Sequence, residues 1–301
     1  MENTQKSIPI NLYRISSPLA VEVIENRRLT AESRGRKNDV RHLVFKFNGS
    51  YPCIPGQSAG ILPPGIDSRT KRPNSPRLYS VASPSTGDHG DGKTFSLCVT
   101  RHFWENPQTG EKDLPGAASN YLCDLRVGDK VKVTGPTGKH FLLPGDFGVR
   151  DFIFVATGTG IAPFRGMLID LFQQGYERNV WLILGVPYKD CLLYDDEFRA
   201  FAVKYPKFTY LTAISREENN PFSSEVQTRQ NKMYVQVRMY EYREKLLKIL
   251  SGSNSMMYLC GLKGMEEGIF PVLNALGKGA GIGDSFAEKL KADQRLRVEV
   301  Y

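Results

Sequence analysis

Apolar residues in the second half of the chain form short runs of strand length that alternate with segments of helical spacing. The predicted strands are Val180–Gly185, Phe208–Ile214, Met256–Cys260 and, at the end of the chain, Arg297–Tyr301. The predicted helices are Asp195–Tyr205, about Val235–Leu250, and Lys263–Leu276. Because repeated strand–helix order with nearly continuous apolar strands is typical of a parallel sheet covered on both faces, this half predicts an α/β domain.

The stretch 151–172 opens this half and carries its most specific pattern. Phe152–Ala156 is an apolar run of strand length, Thr157–Gly160 breaks it with two glycines, and Pro163 suits the first turn of a following helix. Such a turn leaves free N–H groups at the positive end of a helix dipole, where a pyrophosphate binds. Pro163 replaces the third glycine of the dinucleotide fingerprint, and a Gly-x-Gly alone often marks only a tight turn. Strand, turn and helix in this order nevertheless favour nucleotide binding.

The first half consists of short β-rich segments between turns that contain glycine and proline. Leu43–Phe47, Phe95–Val99 and Lys130–Thr134 are the clearest of these segments. Regular short strands with such turns predict an antiparallel barrel or sandwich. We expect one helix near Ser119–Leu125, with Ser119 as its N-cap.

Length and composition set further bounds. The 301 residues and the change of pattern predict two domains, residues 1–148 and 149–301. A hydrophobic content of 41% is ordinary for a soluble protein, and no apolar run approaches the roughly 20 residues of a membrane helix. The N-terminal residues lack the apolar core of a signal peptide. Five scattered cysteines without a C-x-x-C pair, and four histidines without ligand spacing, predict no disulfide framework and no metal site.

The formal net charge of +8 predicts an acidic partner or ligand. Basic residues gather at Arg27–Arg28, Arg34–Lys37 and Arg69–Arg72 in the first half. Most clusters of this kind are ordinary solvated loops. No nucleic-acid-binding motif accompanies the charge, so we do not expect nucleic acid as the partner.

Residues that follow the predicted parallel strands suit a phosphorylated dinucleotide. Ser215 and Arg216 come directly after one strand, where a hydroxyl and a guanidinium can hold a 2′-phosphate. The strand Val180–Gly185 is not followed by the acidic residue that would bind a free ribose hydroxyl. Lys232 and Tyr234 add a cation and an aromatic ring, and the pattern favours NADP over NAD. The alternative for Arg216 is a surface ion pair with one of the two glutamates after it.

Three further positions have both an ordinary and a functional interpretation. Arg77–Ser80 (RLYS) supplies a guanidinium that can bind a phosphate, a ring that can stack on a planar ring, and a hydroxyl that can bond a ring edge. Its alternation of apolar and polar residues is equally typical of an ordinary strand. The helix start at Ser119 could offer N–H groups to a phosphate or be merely a capped helix. Cys260 ends a predicted parallel strand at the binding edge, where a cysteine is more often a small buried hydrophobe than a reactive group.

Together these motifs resemble plant-type (plastid-type) ferredoxin–NADP⁺ reductase from about Asn11 to Tyr301. No single piece is decisive, but all of them stand in the family's order. The matching pieces are Gly56–Ser58, Arg77–Ser80, Leu97–Val99, Ser119–Leu125, Gly135–Lys139, Ala156–Arg165, Cys260–Met265 and Val298–Tyr301.

The resemblance implies an FAD-binding antiparallel β-barrel followed by an NADP-binding α/β domain with a parallel sheet. It implies that FAD mediates electron exchange between NADPH, as a hydride, and ferredoxin, one electron at a time. The implied FAD contacts are Arg77, Leu78, Tyr79, Ser80, Cys98, Ser119 and Trp104, the last replacing the family's usual tyrosine. The implied NADP contacts are Thr157, Gly158, Gly160, Ser215, Arg216, Lys232, Tyr234 and Gln236.

The catalytic set that the resemblance implies is Ser80, Cys260, Glu299 and Tyr301. Ser80 would hydrogen-bond the N5 edge of the flavin, and Cys260 would pack beside the nicotinamide without forming a covalent bond. Glu299 would set the local charge. Tyr301 would stack on the flavin and yield that place to the nicotinamide, which keeps ground-state cofactor binding modest.

The implied partner is an acidic ferredoxin, with flavodoxin as a second candidate, and we expect a monomer in a plastid stroma or a bacterial cytoplasm. Three departures from the family pattern stand out. Thr100 replaces a basic residue, Ala118 replaces a cysteine, and residues 221–231 form a longer segment that we interpret as a surface loop. One rival is the NADPH-dependent reductase component of an oxygenase, which would differ in its acceptor. A non-catalytic basic scaffold is the other, and it would be colourless.

Overall fold

The computed structural model describes residues 8–67, 70–145 and 147–301. Two compact units share the chain. The barrel unit holds the chain up to Leu143 together with Ala162–Phe172, and the sheet unit holds Pro144–Ile161 and Gln173–Tyr301. The domain division at residue 148 stays a prediction. Arg69 of the third basic cluster and residues 1–7 lie outside the described residues.

The barrel unit is built on a six-stranded antiparallel sheet, as the first half predicts. Its strands are β1 (Leu19–Arg28), β2 (Val40–Phe47), β3 (Ser58–Leu62), β4 (Arg77–Ser80), β5 (Thr94–Thr100) and β8 (Lys130–Thr137). They lie in the order β4-β3-β8-β1-β2-β5, and an antiparallel bridge from Val81 to Leu97 joins the two end strands. The Ala82 N–H also donates to Ser96 O at 2.8 Å. The sheet therefore closes on itself as a barrel.

Alternating apolar side chains fill this barrel. Val21 and Val23 of β1 are buried while Glu22 lies between them, and the rings of Phe45 and Phe95 stack with centroids 5.2 Å apart. The sequence pattern did not single out β1 or β3. Glutamates and a bulge between Val23 and Glu25 interrupt the apolar periodicity of β1.

A small hairpin and a helix follow β5. The hairpin pairs β6 (Phe103–Trp104) with β7 (Leu114–Pro115), and α1 spans Ala117–Asp124. The prediction that Ser119 is the N-cap is wrong, because Gly116 occupies that position and Ser119 lies inside the first turn. A Cβ at Gly116 would lie 2.9 Å from the Ser119 hydroxyl and 3.3 Å from His102 O, so glycine favours the close approach here. The Ser119 hydroxyl instead accepts a hydrogen bond from the His102 N–H at 3.1 Å.

The sheet unit contains a five-stranded parallel sheet, which confirms the α/β prediction. Its order is β11-β10-β9-β12-β13. The strands are β9 (Asp151–Thr157), β10 (Val180–Val186), β11 (Phe208–Ile214), β12 (Ser255–Gly261) and β13 (Leu296–Val300). Helix α2 (Ile161–Gln173) follows β9 in the chain, and its residues Ala162–Phe172 belong to the barrel unit. The helices of the sheet unit are α3 (Asp195–Lys204), α4 (Val235–Glu241), α5 (Arg243–Ser251), α6 (Met265–Gly279) and α7 (Phe286–Ala292). Throughout the described ranges, every helix is too short or too polar to cross a bilayer.

Two helices differ from their predicted bounds. The segment predicted as one helix near Val235–Leu250 is divided at Tyr242, whose backbone leaves helical geometry and whose ring packs edge-on against Trp181. Helix α6 begins at Met265 rather than Lys263, because Gly264 precedes it with a left-handed φ of +89°.

Apolar residues on both faces of the central strands explain their continuous hydrophobic character. Ile153 and Val155 of β9 face the cluster that includes Leu273 of α6. Phe152 and Phe154 alternate with them, and their stacked rings have centroids 5.7 Å apart. Because both faces are covered, only the ends of the strands remain for binding.

Candidate functional site

The carboxyl edge of the parallel sheet brings together residues from three neighbouring strands. In register, Cys260 of β12 pairs with Ala156 of β9 on one side and with Glu299 of β13 on the other. The catalytic candidates Cys260 and Glu299 are therefore adjacent although 39 positions separate them in the sequence. Thr157 follows Ala156 and starts the glycine turn at the same edge.

The glycine turn is tightly packed on one side and open on the other. Gly158–Gly160 forms a short 3₁₀ turn that leads directly into α2. A Cβ at Gly160 would lie 2.2 Å from Cys260 O, so the turn can approach β12 only with glycine there. Gly158 has a left-handed φ of +52°, and nothing lies within 4 Å of where its Cβ would stand. The backbone at Gly158 is thus accessible to a ligand at the start of a helix.

The C-terminal residue is held at this edge rather than frayed. The Tyr301 N–H donates to Gly261 O, and the Lys263 N–H donates to Tyr301 O, both at 3.0 Å. The phenol oxygen of Tyr301 lies 2.6 Å from the Thr159 hydroxyl. The Thr157 hydroxyl accepts from the Leu262 N–H at 2.9 Å. Sequence reasoning missed Thr159, although its place between the two glycines was a signal.

The environment of Cys260 keeps its thiol neutral. The residue is completely buried. Burial raises the pKa of the Cys260 thiol far above its ordinary value, and the negative charge of Glu299 adds to that shift. Because the thiolate is the nucleophilic form, covalent chemistry at this cysteine is disfavoured at neutral pH.

Ser215 and Arg216 follow β11 in a loop that is joined to the loop after β10. The Ser215 N–H donates to Val186 O, and the Arg216 N–H donates to Pro187 O, both at 3.0 Å. Within the described residues, the Arg216 guanidinium has no ion pair with the glutamates after it, and it donates to Tyr188 Oη at 2.9 Å. Sequence reasoning missed Tyr188 as a partner, since the two residues are 28 positions apart.

Lys232, Tyr234 and Gln236 lie at the start of α4 and just before it. An antiparallel bridge joins Lys232 to Asn219, so the ends of the long segment 221–231 are held together. A Cβ at Gly185 would lie 2.7 Å from Val235, which shows that α4 begins against the carboxyl end of β10. A Cβ at Gly268 would lie 2.5 Å from the Gln236 amide, which places that side chain against the first turns of α6.

The segment 221–231 is packed rather than detached from the core. Val226 is buried in the core of the sheet unit, and the Phe222 ring packs edge-on against Tyr240. The buried Asn220 amide donates to Val226 O at 2.6 Å. The surface loop expected from the sequence therefore has a buried apolar anchor.

In the barrel unit, Arg77–Ser80 forms β4 beside β3. Arg77 is exposed and donates only weakly to carbonyls of its own turn, with a distance of 3.2 Å to Ser75 O. Leu78 is 59% exposed and presents an apolar side chain at the surface of the strand. Tyr79 packs on the barrel core, and burial raises the pKa of its phenol. Ser80 is half-buried.

The other predicted FAD contacts lie on neighbouring elements. Cys98 is buried on β5, one residue after the Leu97 that bridges to Val81, so barrel closure brings it near the end of β4. Trp104 is half-buried and pairs with Leu114 in the small hairpin. The Ser119 hydroxyl accepts from the His102 N–H at 3.1 Å and donates to Gly116 O at 3.4 Å.

Known proteins match nearly the whole chain. Residues 154–270 match the family described as "Oxidoreductase NAD-binding domain". The chloroplastic ferredoxin–NADP reductase root isozyme 1 of Arabidopsis thaliana is 39% identical over 98% of this chain and 78% of its own. The chloroplastic leaf isozyme 1 of Oryza sativa subsp. indica is 41% identical over 98% of this chain and 80% of its own. The chain belongs to the ferredoxin–NADP reductase family.

Solved structures of ferredoxin–NADP⁺ reductase share the fold. The enzyme from Plasmodium falciparum has a TM-score of 0.74 at 28% identity and covers 97% of this chain and 100% of its own. Its structure with 2′P-AMP has a TM-score of 0.73 at 26% identity, with the same coverage. The two-domain barrel and α/β fold implied by the sequence resemblance is confirmed.

The residues of this chain fit the two cofactors of the ferredoxin–NADP reductase family, FAD and NADP(H). For NADP, the open backbone at Gly158 stands at the start of a helix of 13 residues, a suitable cradle for a pyrophosphate. For FAD, β4 presents an exposed cation and an exposed apolar side chain. Helix α1 begins without a side-chain cap, which leaves its first N–H groups for an anion. The contacts of individual residues with either cofactor stay predictions.

Proposed function

We propose that this chain is a ferredoxin–NADP⁺ reductase in which the predicted site residues carry electron exchange between NADPH and ferredoxin. FAD, when bound, supplies the exchange of a two-electron hydride for single electrons. The observation that carries the proposal is the carboxyl edge of the parallel sheet. There the glycine turn, Cys260, Glu299 and Tyr301 meet, in a chain of this family.

On the barrel unit, the chain's own residues hold and orient the flavin. Arg77 is exposed and suits a pyrophosphate as a bidentate donor. Leu78 and Tyr79 offer apolar surface to planar rings, and the hydroxyl of Ser80 donates a hydrogen bond to the reactive ring edge. The indole of Trp104 takes the place of an adenine-stacking tyrosine.

On the sheet unit, the residues orient the nicotinamide and exclude side reactions. The neutral Cys260 thiol shapes the pocket without forming a bond, and the Glu299 carboxylate beside it sets the local charge. Tyr301 is 58% exposed and is tied to the sheet by its backbone, so its ring can leave while the chain end stays in place. Arg216 and Ser215 hold the 2′-phosphate.

The docking of an acidic ferredoxin uses the positive charge of the protein. The basic cluster at Arg28 is partly structural, because Arg28, Arg41 and Arg101 converge on the buried carboxylate of Asp39 at 3.5, 3.1 and 3.0 Å. Exposed cations elsewhere, such as Lys139, therefore remain to steer the partner. We infer a monomer, with flavodoxin as an alternative partner. The chloroplastic relatives favour a plastid stroma over a bacterial cytoplasm as its compartment.

The test is the choice of electron acceptor at two ionic strengths. Purified protein with NADPH is assayed with ferredoxin, with flavodoxin, with an oxygenase component and with a small uncharged dye. We expect ferredoxin to be reduced and its rate to fall several-fold at high salt while dye reduction changes little. Reduction of the oxygenase component but not of ferredoxin would favour the rival reductase. Equal salt sensitivity for dye and ferredoxin would contradict electrostatic docking.

A further inference from the structure

The loops after β10 and β11 are joined beyond the ends of their strands. Besides the two backbone bonds from Ser215 and Arg216, the Lys189 N–H donates to Glu217 Oε2 at 2.9 Å. Pro187 cannot donate a hydrogen bond, but its carbonyl accepts the one from Arg216. The two loops are thus linked to each other by hydrogen bonds, and Arg216 lies on their exposed surface.

Tyr188 supports the Arg216 guanidinium in two ways. Arg216 Nη1 donates to Tyr188 Oη at 2.9 Å, and the guanidinium carbon lies 5.3 Å from the centre of the tyrosine ring. The carboxylates nearby have other contacts, since Glu218 pairs with Arg238 at 2.7 Å and Glu217 accepts from the Lys189 backbone. The Arg216 side chain is therefore held by an aromatic hydroxyl and an aromatic face rather than by a neutralising charge.

This arrangement suits the binding of a phosphate. An exposed arginine that moves freely loses side-chain entropy when it binds, and a guanidinium held in place beforehand loses less. The guanidinium has five N–H donors, and the bond to Tyr188 uses one of them. Because no carboxylate in the described part of the chain pairs with Arg216, its charge stays available for an anion.

We propose that Tyr188 is a positioning residue that orders Arg216 for the 2′-phosphate of NADP(H) and thereby determines the preference over NAD(H). The proposal rests on the proposed function, in which Arg216 holds that phosphate. Tyr188 acts through Arg216 and contributes to specificity.

The experiment measures affinity for 2′-phospho-AMP and for 5′-AMP by titration calorimetry on the purified holoenzyme, so no turnover is needed. Tyr188→Phe keeps the ring and removes the hydroxyl, and we expect about a 3-fold loss of affinity for 2′-phospho-AMP. Tyr188→Leu removes both the hydroxyl and the ring contact, and its affinity for 2′-phospho-AMP should fall about 10-fold. Affinity for 5′-AMP should stay within about 2-fold in both variants, because that ligand lacks the 2′-phosphate. The NADPH-to-NADH ratio of kcat/KM should fall in parallel.

The matched control is Tyr205→Leu. Tyr205 also lies beneath a cation, with Lys204 Nζ at 5.3 Å from its ring centre, but it precedes β11 at the amino edge of the sheet. Its loss should leave both affinities unchanged.

A double-mutant cycle with Arg216→Ala separates positioning from a general structural effect. If Tyr188 acts through Arg216, Tyr188→Leu costs no further affinity for 2′-phospho-AMP once Arg216→Ala is present. Full additivity of the two substitutions would overturn the proposal, as would unchanged discrimination in Tyr188→Leu. A wild-type protein that binds 2′-phospho-AMP no better than 5′-AMP would instead contradict the proposed NADP function itself.

Discussion

The sheet unit and the barrel unit place their functional residues by different means. In the sheet unit, parallel register brings Thr157, Cys260 and Glu299 to one edge whatever their side chains are. In the barrel unit, the candidate residues lie along β4 and on separate neighbouring elements, so each contribution depends on the individual side chain. The predicted nucleotide site therefore depends on backbone topology, whereas the predicted flavin site depends on the identity of individual side chains.

This contrast predicts that changes to the backbone damage the nucleotide site most, and that changes to side chains damage the flavin site most. Gly160→Ala should have the largest effect, because its Cβ would stand 2.2 Å from Cys260 O and backbone would have to move. We expect at least about a 100-fold loss of NADP⁺ affinity and about 1–3 kcal/mol lower stability. Difference spectroscopy and thermal unfolding measure the two effects.

The control for this variant is Gly279→Ala at the end of α6, where nothing lies within 4 Å of the added Cβ. It should leave NADP⁺ affinity unchanged and stability equal or slightly higher. Normal NADP⁺ binding by Gly160→Ala would show that the turn does not set the site.

Ser80→Ala tests the barrel side of the comparison. The substitution removes one hydroxyl from β4, and we expect hydride transfer from NADPH to slow about 10- to 100-fold while FAD stays bound. Stopped-flow absorbance follows the transfer, and the flavin-to-protein absorbance ratio checks retention. An unchanged transfer rate would remove Ser80 from the catalytic set.

Tyr301 gives an effect of opposite sign. Tyr301→Ser removes the ring that we propose occupies the nicotinamide's place, so NADP⁺ should bind about 10-fold tighter. Tyr301→Phe keeps the ring and loses the contact with the Thr159 hydroxyl, so its affinity should fall between wild type and Tyr301→Ser. Equal affinities for all three proteins would argue against a displaceable ring.

The smallest expected effect concerns acid stability of the barrel unit. His42 on β2 is buried, and its Nε2 lies 3.7 Å from Asp88 Oδ1, which also pairs with Arg165 of α2 at 2.7 Å. Burial is the main reason that the pKa of His42 is lowered to about 3. The negative charge of Asp88 partly offsets this shift, and the positive charges of Arg165 and Arg27 add to it. Below pH 6.5 the unfolded chain binds a proton that the folded chain excludes. This histidine therefore destabilises the fold progressively as pH falls from about 6.5 toward 3.

His42→Gln should reduce the slope of unfolding free energy against pH. One proton contributes at most about 1.4 kcal/mol per pH unit to that slope. Urea unfolding at several pH values between 4 and 7 measures it. The exposed His89→Gln is the control and should keep the wild-type slope. An identical slope in His42→Gln would assign acid sensitivity to other groups.

Much of the sheet unit could be predicted from the sequence, since apolar runs marked β9, β10, β11 and β12 and the glycine turn marked the nucleotide edge. The barrel was harder, because charged residues and a bulge conceal β1. The N-cap of α1 is Gly116 rather than Ser119, and helix propensity does not reveal the close tertiary contacts at Gly116. Contacts between distant residues, Tyr188 with Arg216 and Thr159 with Tyr301, arise only when the strand ends meet at one edge.

The most direct test of the central claim is the visible spectrum of the purified protein during an anaerobic titration. We predict a yellow protein with one FAD per chain, bleached by NADPH and restored stepwise by oxidised ferredoxin. A correctly folded protein that takes up no FAD, or whose bound flavin NADPH fails to reduce, would contradict it.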